Sequence, residues 1–322
     1  MLKFLPLTAA LLVGGVLTAQ QSVKVDPKVP SYKKASGVTG TINSVGSDSL
    51  NNLMTYWVEA FQEQYPNVKI QVEGKGSGTA PPALTAGTAQ IGPMSREMKA
   101  EEIDQFQKKF GYKPLKVSVA IDTLGVFVNK NNKVKSLSLQ DLDGIFSKTR
   151  KSGAKEIKTW GDLGLKGEWA AKPISLYGRN SASGTYGYFK EHAMEKGDFK
   201  DTVKEQPGSS SVVQSVGTDK FAIGYSGIGY KTSEVRAVPL SNPAKNGGKA
   251  FEATYANALN GNYPLARNLY IYVNRDPKKR LDPLVQQFLL FVLSKEGQTI
   301  VVKDGYFPLT PKLADDNTKL VK

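Results

Sequence analysis

Apolar and polar positions along the 322-residue chain switch repeatedly between a period of two and a helical period. Val68, Ile70 and Val72 alternate with polar neighbours, the pattern of a strand with one buried face. Leu50, Leu53, Met54, Trp57 and Phe61 recur at helical spacing, and Pro66 ends that element. Further strand-like runs occupy Lys116–Ala120, Leu124–Asn129, Ile174–Tyr177, Phe221–Ser226 and Leu269–Val273. A last long helical pattern covers Leu284 to about Val302. Alternation of this kind predicts an α/β protein with largely parallel sheets, and no repeat of short period interrupts it.

The first residues follow a different logic. Lys3 precedes one apolar stretch, Phe4 to Thr18, which ends at small residues near Ala19. That is too short to span a bilayer comfortably, and it has the layout of a cleavable secretory signal over residues 1–19. Residues 20–37 are rich in lysine and proline and have no period, so they are expected to form an extension to the globular part, free to flex. The chain contains no cysteine, which excludes disulfides, thiolate metal sites, thiol nucleophiles and a lipid-attachment cysteine. The mature product is therefore expected to be soluble and periplasmic, without a lipid anchor.

Charge adds less. The formal balance is +14, and 42 basic residues face 29 acidic ones once the leader with Lys3 is removed. The lysines are scattered singly and in pairs, without a dense tract or an aromatic ladder, so a nucleic-acid partner is not expected. A solvated basic surface with a general attraction for small anions fits better.

The candidate chemistry lies in one kind of turn that occurs three times. The segments are Ser44-Val45-Gly46-Ser47-Asp48-Ser49, Gly74-Lys75-Gly76-Ser77-Gly78-Thr79 and Arg179-Asn180-Ser181-Ala182-Ser183-Gly184-Thr185. Each falls where a strand gives way to a helix. A helix start exposes backbone N–H groups with no internal partner, at the positive end of the helix dipole. Glycine lets a ligand approach the backbone closely, and serine or threonine adds a hydroxyl donor, so the combination suits a small oxyanion. One such loop alone is an ordinary cap. Three, one of them with Arg179 four residues ahead of Ser183, point to a site, because a guanidinium gives two parallel bonds to an oxyanion and keeps its proton. Arg96, in Ile91-Gly92-Pro93-Met94-Ser95-Arg96, is a second candidate. None of the loops fits a nucleotide motif.

In this order the loops resemble those of the periplasmic phosphate-binding proteins that feed phosphate ABC transporters. Gly76-Ser77-Gly78, Ser183-Gly184-Thr185 with Arg179, Phe291-Val292-Leu293-Ser294 with Glu296-Gly297-Gln298, and Gly305-Tyr306-Phe307-Pro308-Leu309 carry the resemblance, which extends from about Gly40 to the C-terminus. It implies a two-lobed binding-protein fold, with two crossovers forming a hinge and a ligand cleft between the lobes. One lobe would comprise 38–120 plus 266–322 and the other 121–265. It further implies inorganic phosphate as ligand, a membrane ABC permease as partner, no cofactor and no metal. Ser47, Asp48, Ser49, Ser77, Ser95 and Arg96 would face the ligand from the first lobe, and Arg179, Ser183, Gly184 and Thr185 from the second. Members often carry an aspartate where Ser95 stands, to accept the proton that phosphate keeps and sulfate lacks. Asp48 is expected to take that role, unless it caps its helix or pairs with Arg96.

Other classes stay open on the residues alone. A binding protein for sulfate or tungstate would use the same helix starts. A phosphate-ester hydrolase would need a nucleophile and a base, yet His192 is the single histidine and sits on a helical stretch without a partner, so an enzyme is not expected. An adhesive or self-associating role would fall to the N-terminal extension, in addition to ligand binding.

Overall fold

A computed structural model of the chain describes residues 23–322, and the expected secretory signal lies outside them. Among the described residues the first elements are β1 (Gly40–Val45), α1 (Asn51–Gln64), β2 (Val68–Glu73), α2 (Ala80–Ala86), β3 (Ile91–Met94), α3 (Ala100–Phe110) and β4 (Leu115–Asn129). It continues through β5 (Leu137–Ser138), α4 (Leu139–Phe146), β6 (Ser175–Arg179), α5 (Gly184–Ala193), β7 (Lys204–Gln206), α6 (Ser209–Thr218) and β8 (Ala222–Gly227). After β9 (Val235–Ala237), β10 (Leu240–Ser241), β11 (Ala250–Phe251) and α7 (Tyr255–Leu259) it returns along β12 (Ala266–Val273) to α8 (Pro283–Leu293), α9 (Lys295–Lys303) and α10 (Pro311–Val321).

Among the described residues nine strands form one sheet in the order β2-β1-β3-β12-β4-β8-β6-β7, with β9 also on β4. Strand β4 joins its two halves: residues 115–123 pair with β12, and 124–129 pair with β8 and β9. The apolar cores divide at the same point. One, around Trp57, Phe61, Phe288 and Leu289, draws on both ends of the chain, whereas another, around Trp160, Phe146, Phe189 and Tyr225, draws on the middle. Two cores on a shared pair of strands make two lobes.

Three expectations change. The sheet is mixed rather than largely parallel, because β12 runs antiparallel to β3 and β4, and β4 antiparallel to β8. The two runs at 116–129 are one strand of 15 residues, interrupted in pattern only by buried Asp122 and Thr123. The last helical run breaks at Ser294, whose hydroxyl accepts the N–H of Gly297 and so caps α9.

The N-terminal extension, from Val23 onward, is docked on the first lobe. Val29 is buried, Tyr32 N–H donates to Glu296 at 2.7 Å, and Lys295 N–H donates to Pro30 O at 2.9 Å. Tyr32 Oη also bonds Tyr65 Oη and Gln287, while its ring packs edge-on to Phe291. These contacts hold a segment that has no regular structure of its own.

Candidate functional site

Five strand-to-helix junctions converge between the lobes. β1 leads through Ser47 into a short turn of 3-10 helix at Asp48–Leu50, and β2 into another at Ser77–Thr79. β3 leads to Ser95, β6 to Ser183 at the N-cap of α5, and β7 through Gly208 to Ser209 at the start of α6. Ser183 Oγ accepts the N–H of Tyr186, so it serves the third position of α5 and leaves the Gly184 and Thr185 N–H groups without a partner inside the helix. Pro81 and Pro82 sit in the first turn of α2, where a missing N–H costs nothing.

Most of the expected residues meet in a largely buried cluster. Ser47, Ser49, Ser77, Ser95, Arg179, Ser183 and Thr185 are each at most 3% exposed. Contacts cross directly between lobes: Ser49 Oγ lies 2.8 Å from Thr185 Oγ1, and Gly78 N–H donates to Ala182 O at 2.9 Å. Ser77 Oγ lies 3.3 Å from Ser95 Oγ and accepts the Ser95 N–H at 3.0 Å. Two glycines make this approach feasible. Gly76 has φ of 132° and a side chain there would meet Ala182 O, while a Cβ on Gly184 would lie 2.2 Å from Ser77 Oγ.

Arg179 and Asp48 form the charged centre. Arg179 Nη1 donates to Asp48 Oδ2 at 2.8 Å and to Ser209 Oγ at 2.9 Å, and Nη2 donates to Pro207 O at 3.3 Å. Asp48 Oδ2 also accepts the N–H and the hydroxyl of Ser209. Arg179 Nε is buried without a partner among the described residues, and no hydrogen bond among them reaches Asp48 Oδ1. A buried guanidinium N–H and a carboxylate oxygen therefore remain for something else to use. Ser47 Oγ is likewise buried and unpaired, and it makes no cap bond.

Arg96 does not join this centre. Its guanidinium forms a two-pronged pair with Glu102 at 2.8 and 2.7 Å and bonds Glu97 O, which braces the start of α3. The expected alternative of an Asp48–Arg96 pair is thus replaced by Asp48–Arg179.

Four contributors escaped the sequence reading. Ser209 carries the same signature as the other loops, in Pro207-Gly208-Ser209, and was there to be found. Tyr230 donates to Asp48 O and Tyr306 to Ser49 O; burial pushes both phenols well above their ordinary range, so both remain donors. Arg267, buried beside Asp122, reaches the cluster from the crossover strands. A groove of about 1050 Å³, lined by Arg96, Ser183, Tyr186, His192, Arg267 and Tyr270 among others, opens beside the cluster. His192 in that groove packs against the Tyr188 ring, centroids 4.2 Å apart and planes tilted by 41°, and burial lowers its pKa.

Two lobes strung on paired crossover strands, with hydroxyls, helix starts and one arginine converging between them, define a solute-binding protein for a small oxyanion. Residues 33–296 match the PBP superfamily domain. The chain is 57% identical to the phosphate-binding protein PstS of Pseudomonas aeruginosa over 320 residues, covering 99% of this chain and 98% of that protein. It is 30% identical to PstS of Staphylococcus haemolyticus, covering 88% of this chain and 85% of that one. A solved phosphate ABC transporter substrate-binding protein with bound phosphate from Clostridium perfringens superposes with a TM-score of 0.70 at 28% identity, covering 84% of this chain and all of that one. The chain belongs to the PBP superfamily and, within it, to the family of PstS phosphate-binding proteins. That is a family of binding proteins, not of enzymes.

Proposed function

We propose that the protein binds inorganic phosphate reversibly outside the cytoplasm and delivers it to the membrane permease of a phosphate ABC transporter. The single observation that carries this reading is the Arg179–Asp48 pair between the lobes, a buried guanidinium with one N–H unused beside a partly exposed carboxylate with one oxygen unused. A dianion needs donors, and hydrogen phosphate also brings one O–H that needs an acceptor. The centre supplies both, and the family supplies phosphate as the ligand. Among the described residues no helix is long and apolar enough to cross a membrane, in keeping with a carrier that hands its ligand to a separate permease.

In this reading the first lobe, 38–120 plus 266–322, contributes Ser47, Asp48, Ser49, Ser77 and Ser95, and the second, 121–265, contributes Arg179, Ser183, Gly184 and Thr185. Arg96 is left to Glu102. Donors come from Arg179 Nε, the hydroxyls, and the first N–H groups of α5 and of the two short helical turns. Asp48 Oδ1 accepts the phosphate proton. Ser95 is the weaker candidate because its hydroxyl already shares a contact with Ser77 and carries no charge to repel an unprotonated anion.

Substituting Asp48→Asn tests the assignment. Asp48 is partly open to solvent until a ligand covers it; covering a carboxylate with an anion that brings no proton costs about 3 kcal/mol, so wild type is expected to prefer phosphate over sulfate by ~100-fold. The variant should narrow that ratio by about tenfold or more in titration calorimetry. An unaltered ratio would move the acceptor away from Asp48.

A further inference from the structure

Arg267 stands on β12 directly opposite Asp122 on β4, where the two crossover strands pass from one lobe to the other. Both side chains are at most 2% exposed. Arg267 Nε and Nη2 both donate to Asp122 Oδ2, at 2.9 and 2.8 Å. The remaining donors leave the hinge in two directions. Nη1 donates to Ser95 O at 2.8 Å, in the first lobe's loop, and Nη2 donates to Thr185 Oγ1 at 3.1 Å, in the first turn of α5 in the second lobe. Thr185 Oγ1 is in turn 2.8 Å from Ser49 Oγ, so the chain of contacts returns to the first lobe. Asp122 Oδ1 accepts the N–H of Ile228 from the second lobe at 3.0 Å, and the Tyr188 ring lies 5.3 Å from the guanidinium.

A guanidinium is planar and rigid, so its donors cannot follow independent movements of their partners. Ser95 belongs to one lobe and Thr185 to the other. Both bonds are satisfied together only while the lobes hold this relative orientation. Opening the cleft strips at least one acceptor from a buried cation.

We infer that Arg267 is a positioning residue that latches the closed form, coupling occupancy of the anion site to the hinge through Ser95 and Thr185. The inference rests on the phosphate-binding reading and adds to it a named coupling residue outside the ligand contacts. It gives Arg267 its effect on the release of ligand rather than on its capture, because the latch is complete only after closure.

The test uses the whole mature chain stripped of phosphate. The protein has no cysteine, so Tyr56→Cys in α1 and Lys172→Cys in the second lobe, both exposed, accept a fluorophore pair without background labelling. Inorganic phosphate is then added and washed out in stopped flow. Arg267→Met is expected to raise the phosphate off-rate by at least about tenfold, with the on-rate within about threefold of wild type, and to lower the phosphate-driven change in energy transfer to less than half. Arg267→Lys keeps a charge beside Asp122 but cannot reach Ser95 O and Thr185 together. It is expected to fold normally and still release phosphate about fivefold faster or more. Should Arg267→Met fail to fold, Arg267→Lys decides. A lowered melting temperature with wild-type release kinetics and closure in the folded variant would overturn the latch and leave Arg267 a structural ion pair. Absence of phosphate binding by wild type would instead overturn the phosphate reading.

Discussion

Replacing Arg179 by methionine separates ligand contact from scaffold. The side chain is 1% exposed and its partner Asp48 22% exposed. Three of its donor contacts serve the protein, to Asp48, Ser209 and Pro207, and Nε serves none among the described residues. If Nε donates to phosphate, Arg179→Met removes one charge-assisted bond in a desolvated site, worth about 1.5–3 kcal/mol. That corresponds to a ten- to roughly 150-fold rise in Kd. The same change leaves Asp48 with only Ser209 as partner, and breaking a buried pair costs about 3 kcal/mol or somewhat less, since Asp48 is partly open to solvent. At about 1.5–2 °C per kcal/mol for a protein of this size, the melting temperature without phosphate should drop by about 4–6 °C. Adding Asp48→Asn removes the stranded carboxylate, so the double variant should recover stability without recovering affinity. Calorimetric titration with phosphate, beside differential scanning calorimetry without it, reads the two effects separately. A Kd within threefold of wild type, together with the loss of stability, would refute the reasoning and make Arg179 a strut for Asp48 and Ser209.

Two further outcomes follow from the same geometry. Gly184→Ala places a methyl 2.2 Å from Ser77 Oγ and 2.6 Å from Ser95 Oγ, across the cleft rather than within one lobe. It should leave the melting temperature without phosphate unchanged or slightly raised, because alanine suits a helix, while weakening phosphate binding by about tenfold or more; unchanged affinity would mean that the lobes do not close to this separation. Asp304, at the C-terminal end of α9, has its carboxyl raised from 3.8 to about 7 by burial. The folded state then holds a proton that the unfolded state has lost, so stability contributed by this group falls as pH rises from about 4 to about 7 and is flat above. Asp304→Asn should flatten that segment of a melting-temperature profile against pH, and an identical profile would remove Asp304 as its source.

Much of the candidate site is legible because its signal is local. A glycine beside serine or threonine at a strand-to-helix junction needs only neighbouring residues to be seen, and that signature singles out Ser47, Ser77 and Ser183 as candidates. Ser209 shows the same signature, but β7 is only three residues long and polar, so no strand pattern marks the junction. Arg267 and Asp122 were not legible at all. They are 145 residues apart and are brought together by antiparallel pairing, which a period of two does not encode. Asp122 misled in a second way: a buried charge in mid-strand broke the apolar run, so one strand read as two. The same limit explains the mixed sheet, since alternation marks strands but not their direction. The extension had no period because Val29 and Tyr32 dock as single anchors from irregular backbone, and only the assembled first lobe offers them partners.

The central claim is that the buried centre recognises an anion by its proton as well as its charge. Titration calorimetry of the mature wild-type chain with phosphate, arsenate and sulfate near neutral pH tests it most directly. Phosphate and arsenate, which both carry a proton there, should bind and compete for one site, with sulfate ~100-fold weaker. Sulfate affinity equal to that for phosphate, or no phosphate binding at all, would contradict the account.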